Sequence, residues 1–137
     1  MIAGIMVALS LSSVATSAVH DVTMTATEVE LAINNQGTKY PAWTFDGMIP
    51  GKVLRVQEGD SVNITLLNPK ENKNSHAIYF HGMDFNVLDQ GAPVKPGQVK
   101  SFTFEASTQG LFLYHCGAPT MAQHIARGMF GVIIVDP

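Results

Sequence analysis

Cysteine is almost missing: Cys116 is the only one in 137 residues, so no intrachain disulfide can form. Charge is scarce too. Asp, Glu, Lys and Arg make up 14% of the chain, the net charge is −3, and lysine and arginine form no cluster. A protein that tracks a phosphate backbone needs a basic stripe, so nucleic acid is not expected as a partner. A sustained hydrophobic period of 3.6 residues is also lacking, which excludes a helical bundle. There is no internal repeat, low-complexity tract or linker that would divide the chain. Its length suits one domain with a core that needs no disulfide staples.

The first residues lack charge altogether. Between Met1 and Val19 there is no ionisable side chain, and the apolar stretch Ile2 to Leu9 runs into Ser/Ala/Thr-rich sequence ending at Thr16-Ser17-Ala18. Small residues at 16 and 18 suit cleavage after Ala18, although the usual positive start of a signal peptide is absent. Residues 1–18 are therefore expected to be a signal peptide or a retained N-terminal anchor, with the folded domain over 19–137. Nineteen uncharged residues, weakened by serines 10, 12, 13 and 17, are barely enough to span a bilayer. Either outcome places the domain in the periplasm or outside the cell.

From His20 onward the pattern is all-β. Period-two alternation appears in Val22-Met24-Ala26, Val29-Leu31-Ile33, Val53 to Val56, Val62-Ile64-Leu66 and Phe102-Phe104. Turn signals separate these runs: Asn34-Asn35-Gln36-Gly37, Ile49-Pro50-Gly51, Glu58-Gly59-Asp60, Lys95-Pro96-Gly97 and Gln109-Gly110. Short strands at this spacing predict a Greek-key β-sandwich. Asn68 to Ser75, rich in Asn and Lys, reads as a solvated loop.

The lone cysteine stands in Tyr114-His115-Cys116, eight residues before His124 and thirteen before Met129, with His76 forty residues upstream. One thiolate, two imidazoles and one thioether form the donor set of a mononuclear type 1 copper centre. The soft sulfur ligands favour copper, and the lack of a fourth strong ligand argues against closed structural zinc. His76 opens the apolar run Ala77-Ile78-Tyr79-Phe80, so it is expected at a strand start. Cys116 ends the run Leu111 to Tyr114, and His124 and Met129 are expected on the loop before a last strand over Val132 to Val135. A sandwich brings such strand ends and loops to one pole. Two plainer readings compete: a buried core thiol beside packing methionine, and a Cys/His nucleophile pair. No protease-like signature surrounds Cys116.

The pattern Cys-x7-His-x4-Met after a strand resembles the cupredoxins. The surrounding text resembles one branch, the N-terminal domain of copper nitrite reductases and multicopper oxidases. The similarity runs through Thr44-Phe45-Asp46-Gly47-Met48-Ile49-Pro50-Gly51, Asn68-Pro69, His76-Ala77-Ile78-Tyr79-Phe80-His81-Gly82, Tyr114-His115-Cys116-Gly117-Ala118-Pro119 and Gly128-Met129-Phe130-Gly131. It implies a cupredoxin-like sandwich with His76, Cys116, His124 and Met129 on type 1 copper. It also implies a second copper for His81 and His115, since the matching histidines bind a type 2 copper at a trimer interface, and hence a homotrimer.

Departures from that pattern carry their own expectations. The family's third type 2 ligand comes from a second cupredoxin domain, so a partner would have to complete the site. Tyr79 stands where the family has its catalytic aspartate. The span from Cys116 to His124 is one residue short, and Gln123 replaces a tryptophan that ordinarily packs beside the copper. These changes predict a more open type 1 site, able to take a small nitrogen-oxide ligand. Met48, Met83 and Met121 are candidates for an apolar rim, and His20 reads as an ordinary surface histidine. Asn63-Ile64-Thr65 matches a glycosylation acceptor but falls inside a predicted strand. The leading function is single-electron transfer by Cu(I)/Cu(II) cycling with a redox partner protein; the alternative is a copper oxidoreductase acting on nitrite or nitric oxide. Copper storage is weaker, because one tightly held redox ion is a poor cargo.

Overall fold

A computed structural model describes residues 17–84, 86 and 88–137. The apolar stretch of the expected targeting segment lies outside the described residues. Among these described residues eight strands and one short helix follow in order: β1 (Val19–Ala32), β2 (Lys39–Phe45), β3 (Leu54–Gln57), β4 (Ser61–Asn68), β5 (Tyr79–Phe80), β6 (Gln98–Glu105), β7 (Gly110–His115), α1 (Met121–Ala126) and β8 (Phe130–Asp136).

Alternation places the side chains. In β4 every second residue, Val62, Ile64, Leu66 and Asn68, is buried, and in β8 the buried set is Gly131, Ile133 and Val135. Such one-sided strands must face another layer, and two sheets supply it: β2-β1-β4-β6 and β3-β8-β7-β5. The core between them holds Met24, Phe45, Ile64, Phe80, Phe104, Tyr114 and Ile133. Parallel pairs β1/β4 and β3/β8 join segments far apart in the chain. The expected all-β, cupredoxin-like sandwich is the observed fold.

Several elements differ from expectation. The runs at 22–26 and 29–33 are one strand: residues 19–25 of β1 pair with β4, and residues 26–32 pair with β2. β2 carries no clean alternation because Pro41 interrupts it, which an edge strand tolerates. His124 lies on α1 rather than on a loop; six residues are too few to register as a helical period. His76 precedes β5 and is held by paired backbone bonds with Val94, His76 N to Val94 O at 3.0 Å and Val94 N to His76 O at 2.8 Å.

The segment after β4 is not simply solvated. Asn68, buried, donates through Nδ2 to the carbonyls of Asn74 and Val94 at 3.0 and 2.8 Å. Asn72 donates to the Ala26 carbonyl at 2.8 Å and to Asn68 Oδ1 at 2.7 Å. Asparagine side chains can satisfy backbone groups that a turn leaves unpaired, so composition suggested solvent where the chain needed internal partners.

Tyr114, fully buried, occupies a slot cut by two glycines. A Cβ at Gly131 would lie 2.3 Å from its ring and one at Gly51 would lie 2.5 Å from its hydroxyl, which donates to the Lys52 carbonyl at 2.6 Å. Since Tyr114 directly precedes His115-Cys116, this slot sets where β7 delivers both residues. Gly131→Ala should therefore lower stability by about 1–3 kcal/mol through overpacking, read as a reduced denaturant midpoint.

The start of β1 is clamped by Asp60. Its carboxylate accepts from Gln57 N at 2.8 Å, Ala18 N at 2.8 Å and His20 Nε2 at 2.7 Å. His20 thus pairs with Asp60 through Nε2 rather than standing free at the surface. The backbone donors of Gln57 and Ala18, followed by His20, hold the Asp60 carboxyl down to about 2. A depressed folded value gives stability that is complete above the ordinary value of 3.8 and is lost as pH falls toward 2. Asp60→Asn should lower the melting temperature at pH 7 and flatten its decline between about pH 4 and 2, measured by thermal unfolding across that range.

Candidate metal centre

Three elements bring three unlike donors together. His76 arrives from the segment before β5, Cys116 from the end of β7 and His124 from α1, and one ligand atom from each lies within 4.8 Å of the others. His76 Nδ1 and His124 Nδ1 are 3.3 Å apart, and Cys116 Sγ lies 3.2 Å from His124 Nδ1. All three residues are buried. Met129 is also buried, and its backbone closes the ligand loop: Cys116 N donates to Met129 O at 3.0 Å and Met129 N to His124 O at 3.1 Å.

This arrangement fits a metal ion. Donors at about 2.0–2.3 Å from a shared centre stand roughly 3.5 Å apart in a trigonal set, close to the separations found. Burial pushes the imidazoles of His76 and His124 below their ordinary values, so both are neutral and present lone pairs. Burial pushes the Cys116 thiol up, against hydrogen bonds from Ala77 and Ala118 that favour the thiolate. The Ala77 N–H stands 3.3 Å from Cys116 Sγ. A cation entering this set takes a thiolate and displaces a proton.

The centre is closed, contrary to the expectation of an open site. Gln123 is exposed on α1, but Trp43 from β2 covers the imidazoles in place of the missing aromatic, with ring centroids 4.7 Å from His124 and 5.8 Å from His76. Arg127 lies 4.7 Å over the Trp43 ring and donates to the Pro41 carbonyl at 2.8 Å. His124 keeps only 2% of its surface exposed. No sequence signal pointed to Trp43 as a cover, because it comes from the edge strand that the pattern concealed.

Glu28 was equally invisible to sequence reasoning, standing in β1 where an acidic residue reads as a solvated strand face. Its Oε1 lies 3.1 Å from His76 Nε2 and also accepts from Lys73 N, Asn74 N and Asn74 Nδ2 at 3.1, 2.8 and 3.1 Å. Burial raises its carboxyl, but the hydrogen bonds from Asn74, Lys73 and His76 outweigh that, leaving the pKa below its ordinary value.

His81 and His115 meet apart from this cluster. Their Nε2 atoms are 2.8 Å apart, and His115 Nδ1 lies 3.0 Å from the Cys116 carbonyl. A carbonyl only accepts, so His115 carries its proton on Nδ1 and its Nε2 is the acceptor, with His81 Nε2 donating. Beside them is a pocket of about 310 Å³ lined by Tyr79, His81, Gly91, His115, Gly117 and Met121. The Tyr79 ring packs on both histidines, 5.1 and 5.6 Å between centroids. Met121 belongs to this pocket rather than to a rim of the first site, while Met83 packs against the core and Met48 is largely exposed.

Fold and donor set together define a cupredoxin-like domain with a buried His-Cys-His centre. Residues 25–137 match the family model for multicopper oxidase, and the chain belongs to that family. A copper-containing nitrite reductase from Rhizobium sullae is 41% identical over 120 residues, 85% of this chain and 32% of that protein. One from Neisseria meningitidis serogroup A is 38% identical over 104 residues, 75% of this chain and 27% of that protein. Among solved structures, copper nitrite reductase from Nitrosomonas europaea superposes with a TM-score of 0.84 at 52% identity, over 87% of this chain and 42% of that one. A multicopper oxidase superposes at 0.79 with 31% identity, over 87% and 42%. The chain spans about a third of the length of the curated relatives it matches.

Trp43→Ala should expose the imidazoles. We expect a loss of about 2 kcal/mol, less than for a fully buried tryptophan, in denaturant unfolding. His124, protected in the parent, should become reactive to diethyl pyrocarbonate by mass spectrometry.

Proposed function

We propose that this chain carries the electron-transfer centre, and two ligands of a second copper site, of an oxidoreductase acting on nitrogen oxides. The observation that carries the reading is the joining of two donor clusters through one peptide unit: Cys116 belongs to the buried set, and the adjacent His115 faces the pocket shared with His81. Relatives named copper-containing nitrite reductase support it over a pure carrier, reversing the order in which sequence alone ranked the two.

His76, Cys116, His124 and Met129 would hold copper, which would supply one-electron exchange between Cu(I) and Cu(II). Burial and the Trp43 cover exclude water from those ligands and so fix their geometry. His115 and His81 present ring nitrogens to a pocket with room for a small anion such as nitrite. Tyr79 packs against both rings at the position where the family resemblance expects a catalytic aspartate, so proton delivery would fall to another domain or another copy of the chain. A third ligand from another domain or another copy of the chain would complete the second site, in keeping with a homotrimer. A redox partner protein supplies the electron, and the exported location expected from residues 1–18 is part of the same proposal. The carrier reading keeps one supporting observation: among the described residues only one group contains three or more candidate metal donors.

Titration with Cu(II) should produce an intense thiolate charge-transfer band that Cys116→Ser abolishes. His81→Ala should keep the band and lower nitrite turnover with an artificial donor by at least tenfold. Absence of the band in the parent chain would refute the copper reading, and turnover unaffected by His81→Ala would favour the carrier.

A further inference from the structure

We propose that Glu28 is a positioning residue for the metal centre, fixing the His76 tautomer so that Nδ1 is the nitrogen offered to the metal. The inference deepens the proposed function and rests on it for the copper measurements, though not for the tautomer. Four donors converge on a single carboxylate oxygen: Lys73 N, Asn74 N, Asn74 Nδ2 and His76 Nε2. An ionised carboxylate accepts only, so the hydrogen between Glu28 and His76 sits on Nε2. A neutral imidazole carries one hydrogen, which leaves the lone pair on Nδ1. That nitrogen is the one 3.3 Å from His124 Nδ1, inside the donor cluster.

The network reaches further than one contact. Asn72 Oδ1 accepts from Glu28 N at 3.2 Å, Asn72 is bonded to Asn68, and Asn68 holds the Val94 carbonyl that also accepts from His76 N. The ring of His76 is therefore fixed through Glu28 and the segment between β4 and β5, and its backbone through Val94, whose carbonyl Asn68 also holds. A carboxylate on the far nitrogen also makes the imidazole a stronger donor and favours the more highly charged metal ion. Removing it should weaken Cu(II) more than Cu(I).

The test uses the full chain and the variants Glu28→Ala, Glu28→Gln and Asn74→Ala. In the metal-free parent, two-dimensional nitrogen-proton correlation spectra should show His76 protonated on Nε2 alone. Glu28→Ala should mix the tautomers, lower Cu(II) affinity by about 10–100-fold and shift the charge-transfer band. A tenfold preferential loss of Cu(II) appears as a rise of about 59 mV in reduction potential. Glu28→Gln, which keeps an acceptor but loses the charge, should fall between Glu28→Ala and the parent. Asn74→Ala should lower stability while leaving tautomer and band as in the parent. A parent protonated on Nδ1 overturns the proposal. So do Glu28 variants with the parent's tautomer, band and affinity, whatever their stability. Lack of a band in the parent would refute the copper reading alone, with the tautomer still deciding the role of Glu28.

Discussion

Two imidazole nitrogens and a sulfur face one another in the protein interior, and apolar packing alone does not favour that arrangement. A buried polar group left unpaired costs about 1–3 kcal/mol, and here Cys116 Sγ and His76 Nδ1 are held 3.2 and 3.3 Å from His124 Nδ1. The rest of the fold is organised around holding them there. Tyr114 sets the height of β7 by filling the slot between Gly51 and Gly131, and the backbone bonds linking Cys116, Met129 and His124 close the ligand loop. Trp43, held under Arg127, shuts the remaining side. A cation is the partner for which such a set of donors is already arranged.

The two donor clusters are chemically distinct because their surroundings are. His76, Cys116 and His124 are buried and rigidly bonded, which suits electron exchange with little rearrangement. His81 is exposed and His115 borders an open pocket, which suits binding of an exchangeable ligand. His115 and Cys116 point to different places because adjacent residues at a strand end project to opposite sides of the sheet. One dipeptide can therefore serve both clusters.

Similarity to copper-containing nitrite reductases shows the family, and the geometry brings His76, Cys116 and His124 together. The two part at the cover of the first site. Loss of the tryptophan at position 123 suggested exposure, yet the centre is sealed by a residue from an edge strand eighty positions earlier.

The sequence by itself determined the layer architecture and pointed to the candidate donors. Alternation in β4 is a local property of a strand with one buried face, and the spacing from Cys116 to His124 and Met129 fits within a single connection. Chemistry carried by rare residue types in a short segment is legible without coordinates. Tertiary structure decided what depends on partners far apart in the chain: the closure by Trp43, the tautomer imposed by Glu28, and the roles of Asn68, Asn72 and Asn74. Each of these side chains has the same local signature whether it faces solvent or a buried imidazole. Only the pairing of β1 with β2 and β4, and the folding of the following segment against β1, distinguishes the two.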